Sequence, residues 1–233
     1  MNFLYEIIDD FLSLLFPRLC HACGDHLVRN EYLICTKCLF AIPKTNFHLD
    51  SNNPVARMFW GRCIIEKASS FSFYTRGSII RNLIHKMKYR GRKEIGFELG
   101  KIYSSYLKSA GFYDGIDIII PVPLHPSKLR KRGFNQSEFV AMGLAEQAGL
   151  PVEQDCLKRI TGSGTQTKSS RFDRWVNVAG IFAVVNPSLI TGKHVLLVDD
   201  VITTGSTIES CANELLKCED VKVSVVSLAA AVI

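Results

Sequence analysis

Residues 195–207, Val-Leu-Leu-Val-Asp-Asp-Val-Ile-Thr-Thr-Gly-Ser-Thr, leave few folds open to this chain. An unbroken apolar run of this length reads as a strand buried on both faces of a parallel sheet. It stops at two adjacent carboxylates, Asp199 and Asp200, and a short loop rich in hydroxyls follows before a helical pattern begins. Backbone N–H groups at a helix N-terminus attract phosphate. Gly205 lets the loop turn tightly and approach a ligand. The paired carboxylates can accept hydrogen bonds from neighbouring sugar hydroxyls or share a divalent cation. A ribose carrying a 5-phosphate satisfies both halves. The plainer reading is a capped strand-to-helix turn, and the unbroken run of strand, acid pair and loop argues against it.

At 233 residues the chain can bury one substantial core and carry a small appended module. With 47% hydrophobic residues it is not a disordered chain, and its formal charge of +6 suits an anionic ligand or nucleic acid. The first twelve residues are apolar enough to raise a signal peptide, but they lack a basic start and are broken by Glu6, Asp9 and Asp10. The spacing of Leu4, Ile7 or Ile8, Phe11 and Leu14 or Leu15 predicts a short amphipathic helix docked on the body. Its acidic polar face argues against a membrane surface. No run reaches spanning length, so a cytoplasmic protein without a transmembrane segment is expected.

Four of the eight cysteines form two C-x2-C pairs, Cys20 with Cys23 and Cys35 with Cys38. Two such pairs on tight turns present four thiolates to one tetrahedral ion, the geometry of structural zinc. His21 and His26 are alternative ligands, and a redox role explains one pair but not two. The expectation is a closed zinc site that staples a segment too short to bury its own core. Cys63, Cys156, Cys211 and Cys218 have no paired spacing and read as small buried or half-buried hydrophobes.

Residues 43–59, with Pro43, Asn46, Asn52, Asn53 and Pro54, read as a linker. The division expected is an N-terminal helix and zinc module over residues 1–45 and a second domain over residues 60–233. Residues 64–74 predict one or two strands with Phe71 and Phe73 on one face. Residues 77–90 predict a helix with Ile80, Leu83 or Ile84 and Met87 on one face, and residues 95–108 another. Between them, the basic stretch 86–93 reads either as a solvated helix end or as an anion-attracting rim. Residues 116–120 look like a central strand, followed by the proline-rigid loop Pro121, Val122, Pro123, Leu124, His125, Pro126. Ligands of open α/β sheets sit beyond the carboxyl ends of strands, so this loop and the one after Asp200 should share an edge. The cations Lys128, Arg130, Lys131 and Arg132 follow, then a helix to about Gln147. They suit a pyrophosphate, a nucleic-acid patch or an exposed turn. Residues 161–171 have the composition of a loop able to move. Strands are expected at residues 181–185, 195–198 and 221–228, with a helix near residues 208–217. Strands alternating with helices predict an α/β fold, a mainly parallel twisted sheet with flanking helices plus the zinc module.

The strand, acid pair and crook resemble the phosphoribosyl-pyrophosphate signature of type I phosphoribosyltransferases. Pro121-Val122-Pro123-Leu124-His125 with Arg132-Gly133-Phe134-Asn135-Gln136 resembles the hallmark of the ComF/GntX family, the competence-associated branch of those proteins. Thr165-Gln166-Thr167, Arg171, Arg174 and the run Asn177-Val178-Ala179-Gly180-Ile181-Phe182 fit the same pattern. Lys168-Ser169-Ser170 departs from it, because members more often carry an apolar residue there. The resemblance spans Cys20 to the C-terminus and includes a four-cysteine zinc module. It implies that Asp199 and Asp200 hold the ribose hydroxyls and that Thr203, Thr204, Gly205, Ser206 and Thr207 cup the 5-phosphate. Val122, Pro123, Leu124, Arg132, Lys168 and Arg171 would face the pyrophosphate, and Mg²⁺ would accompany the ligand. Asp199, Asp200 and Arg171 would be the catalytic set, with Asp200 the nearest candidate for a general base. Residues 161–171 would close over the bound diphosphate and exclude water. The resemblance also implies a role in handling single-stranded DNA during natural transformation, beside a helicase or membrane channel. In the alternative reading the pocket is a sensor, and the basic stretches track DNA while Phe134, Tyr89 or Trp60 stack on bases.

Overall fold

The computed structural model describes residues 17–160 and 180–231. Four strands pair in parallel: β1 (Ala68–Phe73), β2 (Ile118–Pro121), β5 (His194–Ile202) and β6 (Lys222–Ala230), in the spatial order β1-β6-β5-β2. A separate antiparallel ribbon joins β3 (Leu157–Arg159) to β4 (Phe182–Val184). The helices are α1 (Thr36–Phe40), α2 (Pro54–Arg57), α3 (Ile79–Tyr89), α4 (Glu94–Ser109), α5 (Pro126–Arg132), α6 (Gln136–Ala148) and α7 (Ser206–Leu215). The parallel α/β sheet with flanking helices is the expected fold class.

Both faces of the sheet are covered, which is why its strands are nearly all apolar. One apolar cluster joins β5 and β6 to α3, α4 and α6, and the other joins β2, β5 and β6 to α2, α7 and the ribbon. Ile80, Leu83, Ile84 and Met87 of α3 are all fully buried, so the expected face is the buried face. Burial of each such side chain contributes roughly 1.5–3 kcal/mol. Cys20, Ile34, Cys35, Cys38 and Ile42 belong to the same cluster as α3 and α4. The cysteine segment therefore rests on the body, and Lys86 Nζ ties it there through the His21 carbonyl at 2.6 Å.

Three expectations differ from the structure. Residues 43–59 are not a linker. Asn53 is buried; its Oδ1 accepts from the N–H groups of Val55 and Ala56 to cap α2, and its Nδ2 donates to the carbonyl of Ala68 at 2.7 Å. Val55 and Phe59 are buried behind it. Asn followed by Pro marks a helix start as well as a linker, and here the first role wins. The strand expected at residues 181–185 is present as β4, but its partner is β3, a strand the sequence did not show because it is too short to have a period. The apolar run 195–198 extends to Ile202, so Asp199 and Asp200 lie inside β5, with Asp199 opposite Ser227 of β6. The N-terminal helix expected for the first residues lies outside the described residues.

Helices α4 and α6 cross at backbone contact. A Cβ on Gly143 would stand 2.0 Å from the Phe97 carbonyl oxygen, and one on Gly100 would stand 2.4 Å from that of Val140. Backbone cannot yield as a side-chain tip can. Gly143→Ala is therefore expected to destabilise the protein by about 1–3 kcal/mol, read as a lower midpoint in urea at unchanged slope. A wild-type midpoint would show that the crossing is looser than described.

Candidate functional site

The parallel register places Pro121 of β2 beside Val198 of β5, so the proline loop leaves β2 alongside the acid pair, which is still within β5. Val122 N donates to the Val198 carbonyl at 2.8 Å and locks that junction. Asn135 caps α6 with its side-chain oxygen and donates Nδ2 to the Val122 carbonyl at 3.0 Å. Gly133, at φ 79°, ends α5 in the left-handed region. His125 caps the start of α5, accepting from Ser127 N at Nδ1. The residues of the two sequence phrases are thus tie-points that hold two short helices to one strand end.

A cleft of about 160 Å³ opens there. Asp199 and Asp200 line it with Val122, Pro123, Leu124, Arg132 and Thr207. Asp199 Oδ1 accepts from the Ser137 hydroxyl at 3.0 Å and from the Asp200 backbone N–H at 2.8 Å. Asp200 Oδ1 accepts from Lys88 Nζ at 2.7 Å. Burial and then the adjacent Asp200 charge push Asp199 up to about 7, against the lowering effects of the Asp200 N–H, Lys88 and Ser137. Thr203, Thr204, Gly205, Ser206 and Thr207 curl around a smaller hollow of about 30 Å³ that shares Asp199 with the cleft. Gly205 holds φ at 75°, and a Cβ there would meet the Phe59 ring at 3.0 Å. All the expected ribose and phosphate residues meet at this edge. Lys168, Arg171 and Arg174 lie outside the described residues, as does the closing loop at residues 161–171.

Several residues at this edge carried no sequence signal. Arg62 donates to the Thr204 carbonyl at 3.0 Å and pairs with Glu209, bracing the crook from the far side. Arg159 lines the cleft, its guanidinium over the Phe182 ring at 5.3 Å and its buried Nε without a hydrogen-bond partner among the described residues. Lys86 and Lys88 of the basic stretch fit neither of its two readings, because Lys88 reaches the acid pair while Lys86 anchors the cysteine segment. Of the aromatic residues proposed for stacking, Trp60 and Tyr89 are exposed, but Phe134 is half-buried edge-on to Phe139. Phe134 is therefore not a free platform.

Away from the cleft, the sulfurs of Cys20, Cys23, Cys35 and Cys38 lie within 4.8 Å of one another. Backbone N–H groups aim at them: Cys35 N at Cys20 Sγ (3.2 Å), Cys38 N at Cys35 Sγ (3.4 Å) and Asp25 N at Cys23 Sγ (3.5 Å). Burial raises the Cys20 thiol, but the N–H groups of Cys35, Cys23 and Ala22 outweigh it and hold it below the usual range. Burial and the neighbouring thiols push Cys38 up. Four convergent sulfurs with N–H donors behind them fit one tetrahedral metal ion, and neither His21 nor His26 joins the cluster. Cys156 and Cys211 are buried and Cys63 and Cys218 half-buried, as expected.

The sheet, acid pair and crook define a domain of the type I phosphoribosyltransferase fold, and a family described as Phosphoribosyl transferase domain matches residues 127–232. The chain belongs to the ComF family. It is 30% identical over 215 residues to the Salmonella typhimurium protein named DNA utilization protein YhgH, covering 88% of this chain and 93% of that one. It is 27% identical to Competence protein F of Haemophilus influenzae, over 92% of this chain and 97% of that protein. Against Competence protein ComFC of Bacillus subtilis the figures are 29%, 63% and 57%. Among solved structures, glutamine phosphoribosylpyrophosphate amidotransferase of B. subtilis, complexed with ADP and GMP, gives a TM-score of 0.41 at 23% identity, over 60% of this chain and 30% of that one. A Staphylococcus aureus hypoxanthine phosphoribosyltransferase gives 0.36 at 18%, over 58% and 62%. The chain spans less than a third of the amidotransferase. No helix among the described residues is long and apolar enough to cross a membrane.

Two outcomes follow from these two clusters. A carboxyl raised in the folded state contributes stability that is present in acid and lost as pH rises through its folded value. Thermal melts should therefore show Asp199→Asn gaining on wild type above pH 7, by on the order of 1–3 kcal/mol, with little difference near pH 4. Equal melting shifts at both pH values would mean that Asp199 is not raised. The cysteine cluster should carry about one zinc ion per chain by elemental analysis. Cys35→Ser should lose the metal and melt at lower temperature, and a metal-free wild type of unchanged stability would refute a stapling role.

Proposed function

We propose that the cleft binds phosphoribosyl pyrophosphate with Mg²⁺ and that the chain serves DNA uptake as a phosphoribosyltransferase-like component. The observation that carries this reading is the meeting of acid pair, hydroxyl crook and proline loop at one strand end. In it, the N–H groups and hydroxyls of residues 203–207 hold the 5-phosphate at the start of α7. Asp199 and Asp200 accept hydrogen bonds from the ribose hydroxyls. Lys88 donates to one oxygen of Asp200, which leaves the other oxygen for a ribose hydroxyl. Lys128, Arg132 and Arg159 line the cleft and would face the diphosphate; Lys168 and Arg171, which lie outside the described residues, belong to the same proposal. Mg²⁺, bound with the ligand, supplies charge neutralisation of the leaving diphosphate. Two adjacent carboxylates opposite a row of cations are the donor set such a ligand needs.

If the anomeric carbon is attacked, positive charge grows on the sugar while the diphosphate departs. The work left for the chain is positioning and neutralisation. Asp200 stands nearest to take a proton from an acceptor, and Arg171 belongs to the same catalytic proposal. The DNA-uptake role rests on the names of the relatives, which refer to competence and DNA utilization. In this reading the chain works in the cytoplasm near a DNA-uptake helicase or membrane channel, and the four cysteines hold a structural zinc ion. A non-catalytic reading, with the pocket as sensor and single-stranded DNA on the basic face, is supported by the exposed ring of Trp60.

Calorimetry with phosphoribosyl pyrophosphate and Mg²⁺ should show saturable binding. Asp200→Ala should weaken it about tenfold or more, a change of about 1.4 kcal/mol. Pyrophosphate release with a nitrogen acceptor, lost in the same variant, selects the enzyme. Ligand binding without turnover, alongside salt-steep binding of single-stranded DNA, selects the sensor. A flat titration of the wild-type protein rejects both forms of the reading.

A further inference from the structure

A cavity of about 340 Å³ opens at the start of β1, where the turn Phe47–Leu49 meets the end of α4. The cleft lies at the carboxyl ends of the parallel strands, so this cavity sits at the opposite edge of the sheet and shares no lining residue with the cleft. Phe47, Leu49 and Phe112 give it apolar walls. The Phe47 ring is fixed edge-on to Phe73, with centroids 5.5 Å apart, and Phe112 is buried. Its volume falls at the small end of ligand pockets, which run roughly 300–1,000 Å³.

The charge around these walls is one-sided. Asp50 and Glu66 stand exposed at the rim, and neither forms an ion pair among the described residues. Ala110 and Gly111 also line the cavity, so the 16-residue helix α4 ends there, and the last carbonyls of a helix carry partial negative charge. Lys67 is the one lysine or arginine in the lining, and its charge is already matched. Nζ donates to the carbonyls of Phe112 at 3.0 Å and Asp114 at 2.9 Å, and lies over the Phe112 ring at 5.8 Å. Burial holds His48 below its ordinary range, so its ring adds no positive charge at neutral pH. Two carboxylates and a helix end therefore face the cavity against a single cation that is already engaged.

A bare metal ion does not suit this set. Among the described residues only the four cysteines converge as a metal-ligating group, and His48, Asp50 and Glu66 do not. A neutral ligand would leave both carboxylates unanswered, and an anion would be repelled by them. We propose that the cavity binds a small organic cation, an ammonium carried on an apolar body. The body packs against Phe47, Leu49 and Phe112, whose ring faces attract positive charge, and the ammonium meets Asp50 and Glu66 at the rim. This site stands whether or not the cleft takes a pentose.

The test uses the full chain and two probes that share a ring and differ in charge, tryptamine and indole-3-propionate. Calorimetry should show saturable binding of tryptamine, about tenfold or more tighter than indole-3-propionate. The Asp50→Asn/Glu66→Gln double variant should weaken tryptamine about tenfold or more and narrow the gap between the probes. Asn at position 50 keeps the oxygen that accepts from the Asn52 N–H, so the melting temperature should stay near the wild-type value. If the double variant melts early, Glu66→Gln alone, at an exposed position, should still weaken tryptamine several-fold. Ribose 5-phosphate affinity should be unchanged in every variant. Equal binding of the two probes overturns the preference for a cation. No saturable binding at millimolar tryptamine, or binding that ignores both substitutions, overturns the site. Ribose 5-phosphate affinity that falls along with tryptamine in the well-folded variants overturns its separateness from the cleft. Wild-type protein that binds tryptamine but not ribose 5-phosphate counts against the pentose reading and leaves this cavity standing.

Discussion

Two carboxylates on successive residues at the end of a buried strand repel each other in a place where water cannot fully screen them. The surrounding structure answers that repulsion piece by piece. A backbone N–H and the Ser137 hydroxyl steady Asp199, and the Lys88 ammonium covers Asp200. Each donor comes from a different element, so the acid pair cannot be held unless β5, α6 and α3 all arrive at one place. The sheet brings β5 there, and the Asn135 bond to the Val122 carbonyl sets where α6 begins. The acid pair is therefore both the chemical centre of the cleft and the point on which three elements are trued.

The sequence made local chemistry legible and distant chemistry not. The acid pair, the crook, the proline loop and the two cysteine pairs each lie within a few residues, and each emerged in the expected place. Lys88 and Asp200 are 112 residues apart, and Arg62 and Thr204 are 142 apart. Nothing local distinguishes either cation from an ordinary solvated one. The helices of the main body were readable because their apolar faces repeat. The ribbon of β3 and β4 was not, because three residues a strand are too few to show a period. Residues 43–59 misled for a physical reason, since a buried Asn capping a short helix has the composition of a turn.

The helix α3 joins two otherwise separate sites. Its apolar face lies on the sheet, Lys86 reaches the backbone of the cysteine segment, and Lys88 reaches the acid pair. The two lysines are two residues apart, so the cluster of sulfurs and the cleft rest against the same turn of helix. The cations of the extended basic stretch thus do different things. One secures the cysteine segment, one covers the acid pair, Arg92 pairs with Glu94, and Lys93 lies over the Phe139 ring.

The glycines at the crossing of α4 and α6 do not line the cleft, yet they fix how closely the helix that carries Ser137 packs on its neighbour. Because the two backbones meet there without intervening side chains, the distance between the helices is the smallest that peptide groups allow. The leading end of α6 carries Asn135, Gln136 and Ser137, and its reach toward β5 is a continuation of that distance. The crossing works as a gauge block: a thicker spacer would tilt the helix and withdraw its first turn from the acids. No rearrangement of rotamers could restore the lost reach, since the error would lie in main chain against main chain.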